Sequence, residues 1–290
     1  MQVRFDPSPD LFPFESRWHP SRVGAIHYVD EGAGRPILFL HGNPTWSFLY
    51  REIIKRLRPT FRCLAVDYPG FGLSERPFRY GYTPSEHSHV VGGLIEGLDL
   101  GDLIIMGHDW GGPIGLACAV RTPERVSGLV FGNTWFWPVD RWFNRLYSRV
   151  MSTRLLEWAI IERNLFVEKL IPLGTRTTLT EEVMEHYRRA QPQPAARRGV
   201  AEFSRQIRAS RRWLARLARA VPHVLGDRPT LLTWGMRDFA YAPDYFIPRF
   251  RESFRDLAEY PLPQARHFIQ EDAPDSIAEA ILVRFARRPR

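Results

Sequence analysis

Short apolar runs recur along the chain, and each is followed by turn residues and then by a helix-like pattern. Six strand patterns occupy residues 36–41, 61–67, 103–107, 127–132, 229–234 and 257–260. Hydrophobicity in most of these runs is continuous rather than alternating, which is typical of strands that are buried on both faces of a parallel sheet. The order of strand and then helix predicts an α/β fold with a mostly parallel, doubly wound sheet.

Helical patterns fill the intervals between the first strands. Residues 45–57 and 111–121 have helical periodicity. A capping box, Thr83-Pro-Ser-Glu86, places proline at the first helical position and predicts a helix that runs to about Leu98. These helices supply the crossover connections that a parallel sheet needs.

The pattern changes after Asn133. Residues 135–218 contain helical segments rich in Arg, Trp and Leu but no good strand, and strand patterns return at residue 229. We therefore predict a core domain formed by residues 1–134 and 219–290, with a helical cap domain at 135–218. A length of 290 residues fits one large α/β domain that carries such an insertion.

The charge of the chain is strongly positive, at +8 with an isoelectric point near 9.9. Only Lys55 and Lys169 are lysines, so the excess is almost wholly arginine. The densest stretch, residues 188–219, is also amphipathic, with Phe203 and Leu214 on its apolar side. We interpret this stretch as a solvated helical surface and expect no nucleic-acid partner.

Cysteine use and hydropathy predict a cytoplasmic protein. Cys63 and Cys118 each lie in an apolar run, and two buried cysteines do not make a disulfide scaffold. The first 18 residues carry acidic residues and prolines where a signal peptide needs an apolar segment. No uncharged apolar run approaches the roughly 20 residues of a membrane span, so we expect a soluble protein without a membrane partner.

The strongest chemical signal is Gly107-His-Asp-Trp-Gly111, which follows one buried strand and precedes a helix. This is the context of the G-x-nucleophile-x-G elbow of α/β hydrolases. The glycines are required because the strained turn leaves no room for side chains beside the nucleophile. The elbow residue here is Asp109.

An aspartate at the elbow indicates a different reaction from a serine. A serine needs a base before it can attack, whereas a carboxylate is already ionised at neutral pH. Asp109 can therefore attack a saturated carbon that carries a leaving group and form an alkyl ester. Water must then cleave this ester, and that second step needs a base.

The remaining triad members are predicted from their order along the chain, which is nucleophile, acid, histidine. His267 is the only histidine in the last 60 residues and follows the last strand. Asp238 follows the strand at 229–234 and is the predicted acid, with Asp244 and Asp227 as competitors. His108 adjoins the nucleophile, but we expect its side chain to point away from the cavity.

Two positions supply donors around Asp109. The backbone N–H groups of Trp110 and of Asn43, in the loop His41-Gly-Asn-Pro44, are the predicted oxyanion hole. Their side chains, an indole N–H and an amide, are also donors without charge. Two neutral donors that converge on an apolar cavity suit a departing halide.

Several motifs together resemble those of haloalkane dehalogenases, a family of the α/β-hydrolase superfamily. They are His41-Gly-Asn-Pro-Thr-Trp-Ser-Phe-Leu-Tyr-Arg51, Asp67-Tyr-Pro-Gly-Phe-Gly-Leu-Ser74, Gly107-His-Asp-Trp-Gly-Gly112 and His267-Phe-Ile-Gln-Glu-Asp272. The resemblance covers nearly the whole chain. It implies a helical cap after the sixth strand, a buried apolar pocket, and hydrolysis of haloalkanes to a primary alcohol, a halide and a proton, without cofactor or metal.

The resemblance extends to one of three subgroups of that family. One subgroup has a glutamate where this chain has Asn133, and another uses a cap tryptophan to hold the halide. Asn43 together with Asp238 resembles the third, whose members tend to form homo-oligomers. That subgroup implies the following roles: nucleophile Asp109, base His267, acid Asp238, halide donors Asn43 and Trp110.

Other functions remain open at this stage. Epoxide hydrolases share the Gly-His-Asp-Trp-Gly-Gly run and activate the ring oxygen with cap tyrosines, and Tyr147 and Tyr187 lie in the predicted cap. Fluoroacetate dehalogenases place an arginine where Trp110 stands. A non-catalytic binding protein would have no use for the intact order of the triad.

Overall fold

The computed structural model describes residues 5–286. Residues 1–4 and 287–290, the outer ends of the predicted core domain, lie outside the described residues. One eight-stranded sheet organises the chain, in the order β1-β2-β4-β3-β5-β6-β7-β8. The strands are β1 Arg17–Ser21, β2 Gly24–Glu31, β3 Pro36–Leu40, β4 Arg62–Val66, β5 Leu103–Asp109, β6 Val126–Thr134, β7 Thr230–Gly235 and β8 Leu257–Leu262.

The sheet is parallel from β4 through β8 and antiparallel only where β2 pairs with β1 and with β4. The six strands predicted from apolar runs are β3 to β8. The hairpin of β1 and β2 was missed because β1 is a mostly exposed edge strand whose sequence, RWHPS, has no apolar run. The mostly parallel α/β prediction is confirmed.

Helices pack on both faces of the sheet, as a doubly wound fold requires. Helices α1 (Arg51–Leu57) and α12 (Pro274–Phe285) cover one face, and α2 (Pro84–Gly97) and α3 (Gly111–Arg121) cover the other. The capping box that predicted α2 is present. The Thr83 side chain accepts from the N–H of Glu86, and the Glu86 carboxylate accepts from the N–H of Thr83.

Between β6 and β7 the described chain forms helices and no strand. They are α4 Trp142–Met151, α5 Arg154–Arg163, a π-helical turn Phe166–Leu170, α6 Ile171–Gly174, α7 Glu181–Arg189, α8 Arg198–Ala209 and α9 Arg211–Leu225. Helix α9 is continuous across the predicted boundary at 218/219 because its buried positions, Leu214, Leu217, Val221 and Leu225, keep helical spacing. The two-domain division therefore stays a prediction, with a helix running across one of its boundaries.

A buried polar cluster of Arg51, Glu271 and Tyr187 joins this helical segment to the chain beside the sheet. The Arg51 guanidinium of α1 contacts the Glu271 carboxylate through two hydrogen bonds of 2.6 and 2.8 Å. The hydroxyl of Tyr187, on α7, donates to the same carboxylate.

The remaining chain forms α10 (Pro243–Ser253) and α11 (Ile269–Asp272) beside β7 and β8. Among the described residues, none of the helices is long and apolar enough to cross a membrane.

Candidate active site

Asp109 stands at the end of β5, in a sharp turn before α3. Its φ angle is +51°, a left-handed conformation that non-glycine residues adopt rarely and at a cost. A Cβ atom on Gly111 would lie 1.9 Å from the Leu40 carbonyl oxygen, and one on Gly107 would lie 2.7 Å from the backbone of Gly111. The glycines thus leave room for this turn, as predicted from the sequence.

Two backbone N–H groups act on the Asp109 carboxylate. The N–H of Asn43 donates to Oδ1 at 2.9 Å, and the N–H of Trp110 stabilises the charged form as well. Gly42 makes the approach possible, since a Cβ atom there would lie 2.3 Å from the Cβ of Asp109. The geometry therefore brings the Asn43 N–H to this carboxylate, and the Trp110 N–H lowers the pKa of the same carboxyl group.

The second carboxylate oxygen, Oδ2, contacts a residue that sequence reasoning missed. The Tyr241 hydroxyl donates to Asp109 Oδ2 at 2.6 Å. Burial raises the pKa of Asp109, while the positive potential of His267 and the hydrogen bond from Tyr241 oppose that rise. These donors help to keep a buried carboxylate ionised.

His267 and Asp238 lie together in the loops after β8 and β7. The Nδ1 atom of His267 is 2.8 Å from Asp238 Oδ2, and its Nε2 atom is 3.9 Å from Asp109 Oδ2. Burial lowers the pKa of His267, but the charge and hydrogen bond of Asp238 more than offset this, so the pKa is raised. Burial likewise works against ionisation of Asp238, and His267 overcomes it to lower the pKa.

The competing residues lie elsewhere. Asp227 and Asp244 are exposed, and Asp227 pairs with Arg255 rather than with a histidine. His108 is fully buried outside the lining of the cavity, and its Nε2 atom is 2.9 Å from the carbonyl oxygen of His267. This is the outward orientation that we expected for His108.

Asn133 has a part in the site that sequence reasoning did not assign. Its amide Nδ2 donates to Asp238 Oδ2 at 2.8 Å, and its Oδ1 accepts from the N–H of Gly235 at 2.8 Å. The N–H groups of Ala240 and Tyr241 donate to the other oxygen of Asp238. A buried carboxylate with this many donors is held firmly in one orientation.

A cavity of about 110 Å³ opens above Asp109 and includes His267 and Asp238 in its lining. Asn43 and Trp110 both border it. The amide of Asn43 donates one hydrogen to the Val200 carbonyl at 3.0 Å, which leaves its second N–H available. The apolar lining consists mainly of Phe143, Phe166, Leu170, Leu173, Phe203, Ile207, Phe239 and Phe268.

The two cap tyrosines considered above occupy different places. Tyr147 of α4 lines the cavity, whereas Tyr187 is buried away from it in the contact with Glu271. Among residues 5–286, no group of three or more His, Cys, Asp or Glu side chains is arranged to hold a metal ion.

Comparison with known proteins places this chain in a family. The family model described as alpha/beta hydrolase fold matches residues 35–274. Haloalkane dehalogenase 2 of Mycobacterium tuberculosis is 57% identical over 285 residues, which make up 98% of this chain and 100% of the relative.

Solved structures agree. A variant of the haloalkane dehalogenase DatA from Agrobacterium tumefaciens C58 has a TM-score of 0.86 at 28% identity, over 96% of this chain and 99% of that chain. A mutant of DbjA has a TM-score of 0.84 at 30% identity, over 92% and 96% of the two chains.

Fold and elbow together define an α/β hydrolase with an aspartate at the elbow turn. The identity to Haloalkane dehalogenase 2 extends over the whole of that relative. The chain belongs to the haloalkane dehalogenase family and is a hydrolase that acts on carbon–halide bonds.

Proposed function

We propose that Asp109 attacks the halogen-bearing carbon through Oδ2 and displaces the halide to form an alkyl ester. The support is the orientation of the carboxylate: Oδ1 accepts from the N–H of Asn43, while Oδ2 is the oxygen nearest to the Nε2 atom of His267. An oxygen held by backbone donors stays as the carbonyl oxygen of the ester, so the other oxygen makes the new bond.

Ester hydrolysis is the second proposed step. His267 removes a proton from a water molecule, which attacks Cγ of Asp109, and the developing charge on Oδ1 is stabilised by the N–H groups of Asn43 and Trp110. Asp238 holds the imidazole tautomer and stabilises the imidazolium. The 2.8 Å contact between Asp238 and His267 supports this assignment.

We propose the side chains of Trp110 and Asn43 as the halide donors. Both border the cavity beside Asp109, and both carry neutral N–H groups. Phe203 stacks on the Trp110 ring at 5.3 Å, and Trp135 contacts it edge-on at 4.6 Å, so the indole is held in place. The halide displaced in the first step is one of the two products.

The size of the cavity favours short haloalkanes. A dry cavity of about 150 Å³ is enough to bind benzene. The volume of about 110 Å³ found here therefore suits a halogenated alkane of a few carbon atoms. Bromoalkanes of two to four carbons are the substrates we would test first.

Free cysteines and exposed apolar side chains bear on where the protein is located and how it assembles. We propose a cytoplasmic enzyme, supported by Cys63 and Cys118, which are both free and buried. We also propose a homo-oligomer, supported by exposed apolar side chains of the cap helices such as Trp142 and Leu155. Light scattering of the purified protein measures the second directly.

The observation that carries the proposed function is the aspartate at the elbow with a histidine–aspartate pair beside it. The test is bromide release from 1,2-dibromoethane, compared with diol formation from styrene oxide. We expect bromide from the unaltered enzyme and none from the Asp109→Asn variant. Diol formation without bromide release would favour the epoxide hydrolase alternative instead.

A further inference from the structure

Tyr241 contacts every member of the proposed triad. Its hydroxyl donates to Asp109 Oδ2 at 2.6 Å, and its ring stacks on the His267 ring at 5.0 Å with an interplanar angle of 17°. Its backbone N–H donates to Asp238 Oδ1 at 3.1 Å. The residue is 8% exposed, and its carbonyl oxygen accepts a hydrogen bond from the Trp234 indole N–H, so Tyr241 is held in place.

The hydrogen bond from Tyr241 matters because Oδ2 has a different chemical role in each of the two proposed steps. In the proposed first step, Oδ2 of Asp109 forms the bond to carbon. In the second step, a water oxygen bonds to Cγ and the Cγ–Oδ2 bond breaks, so Oδ2 departs as the oxygen of the alcohol. The electron pair of the broken bond stays on Oδ2, and the His267 imidazolium returns to this oxygen the proton that it took from water.

An alkoxide is a poor leaving group, and its departure is helped by a donor that is already in place. We propose that Tyr241 is a further catalytic residue, whose hydroxyl group donates a hydrogen bond to Oδ2 as this atom leaves with the alcohol. The inference rests on the proposed function, because it requires the ester to form through Oδ2. Burial and the charge of Asp109 raise the pKa of Tyr241 well above its usual value, so the phenol remains a donor.

The same hydrogen bond has the opposite effect on the two steps. A donor on Oδ2 withdraws electron density from the attacking carboxylate and therefore slows displacement of the halide. Once the tetrahedral intermediate forms, the donor stabilises the departing alkoxide and speeds hydrolysis. Removal of the hydroxyl should consequently separate the two rates.

The experiment is single-turnover kinetics on the full-length Tyr241→Phe variant with 1-bromobutane. Bromide release reports the first step, and butanol formation reports the second. We expect bromide release at least as fast as in the unaltered enzyme and butanol formation slower by about 100-fold. Intact-protein mass spectrometry should show the butyl-enzyme that accumulates.

The acidity of the product alcohol separates chemistry from a merely structural effect. The alcohol formed from 1,2-dibromoethane is 2-bromoethanol, which is more acidic than butanol and leaves more readily without help. The loss in Tyr241→Phe should therefore be smaller with 1,2-dibromoethane. Equal losses with both substrates, or no loss, would overturn the proposal.

Two further variants complete the test. Tyr245→Phe removes a tyrosine hydroxyl of α10 that contacts Asp140 outside the cavity, and both steps should keep their normal rates. Tyr241→His retains an N–H donor on a ring that can stack on His267, and it should recover part of the butanol rate. If neither Tyr241 variant forms an alkyl-enzyme, Tyr241 only maintains the site, and the proposal is wrong.

The proposed function and the role of Tyr241 can be refuted separately. If the unaltered enzyme releases no halide from any haloalkane, the proposed function is wrong. If it turns over normally and the Tyr241→Phe variant does the same, only the assignment of Tyr241 is wrong.

Discussion

The carboxyl ends of the parallel strands, called the edge below, and the helical segment between β6 and β7 meet at one cavity. They contribute different chemistry to it. Asp109, Asp238 and His267 lie at or just after the carboxyl ends of parallel strands, and each has at least one hydrogen-bonding partner within 3 Å. The helices α4 and α8 contribute mainly apolar side chains, among them Phe143 and Ile207. We infer that the edge determines the reaction, while the helices select the substrate.

The two regions differ in how tightly their residue types are constrained. The edge depends on strained turns and close approaches, such as the positive φ of Asp109, which only a few residue types permit. The helical wall needs only apolar side chains of suitable volume, and many sequences provide them. Substitutions in the two regions should therefore have effects of different kinds and sizes.

The largest effect is expected at the edge, from His267→Phe. Loss of the base should slow alcohol release by about 10,000-fold and leave the first bromide release intact, since Asp109 needs no base to attack. The measurement is quenched-flow analysis of both products, with mass spectrometry for the alkyl-enzyme. Absence of an adduct with a substrate that does release bromide would contradict the two-step scheme.

The pH dependence should also separate the two steps. Neutral His267 is the active form, and because Asp238 raises its pKa, alcohol release should fall as pH drops through that raised value, by about tenfold per pH unit. Bromide release needs only ionised Asp109. Its pKa, although raised by burial, starts from the low value of a carboxyl group, so this step should persist at lower pH.

Stopped-flow measurements of both products between acid and alkaline pH test this order. The Asp238→Asn variant sharpens it: without the negative charge, the acid limb of the slower alcohol release should move to lower pH. If the rates of bromide release and of alcohol release fall at the same pH, one group controls both steps and our division of roles is wrong.

A smaller effect is expected from the helical wall. Ile207→Ala should enlarge the cavity and shift the ratio of kcat/KM for 1-bromohexane against 1-bromobutane by about tenfold toward the longer substrate. Val283→Ala, at an 80% exposed position of α12, is the matched control and should leave that ratio unchanged. If Ile207→Ala slows every substrate equally, the cavity-lining helices affect the reaction itself and not only the choice of substrate.

The sequence predicted the parts of the site that have a local signature. Gly107 and Gly111 bracket Asp109 between a buried strand and a helix, and the structure has that turn where the pattern predicts it. His267 was predicted from the order of nucleophile, acid and histidine along the chain, because it is the only histidine in the last 60 residues. Neither inference needs any knowledge of how side chains pack.

Tyr241 and Asn133 could not be predicted in the same way. Both are neutral residues whose contacts arise only when neighbouring turns meet, as when β6 and β7 pair through Gly132 and Thr233 and bring Asn133 beside Asp238. For Tyr187 the secondary structure could be predicted but the direction of the side chain could not. Its position in a helical segment was clear, but periodicity did not tell whether its hydroxyl faced the cavity or Glu271.

The most direct test of the account is a single turnover in heavy-oxygen water with enzyme in excess over haloalkane. If the alkyl ester forms on Asp109 and water attacks Cγ, the peptide that contains Asp109 gains one heavy oxygen, and the alcohol carries ordinary oxygen. Heavy oxygen found in the alcohol and absent from that peptide would mean that water displaces the halide directly, which would contradict the account.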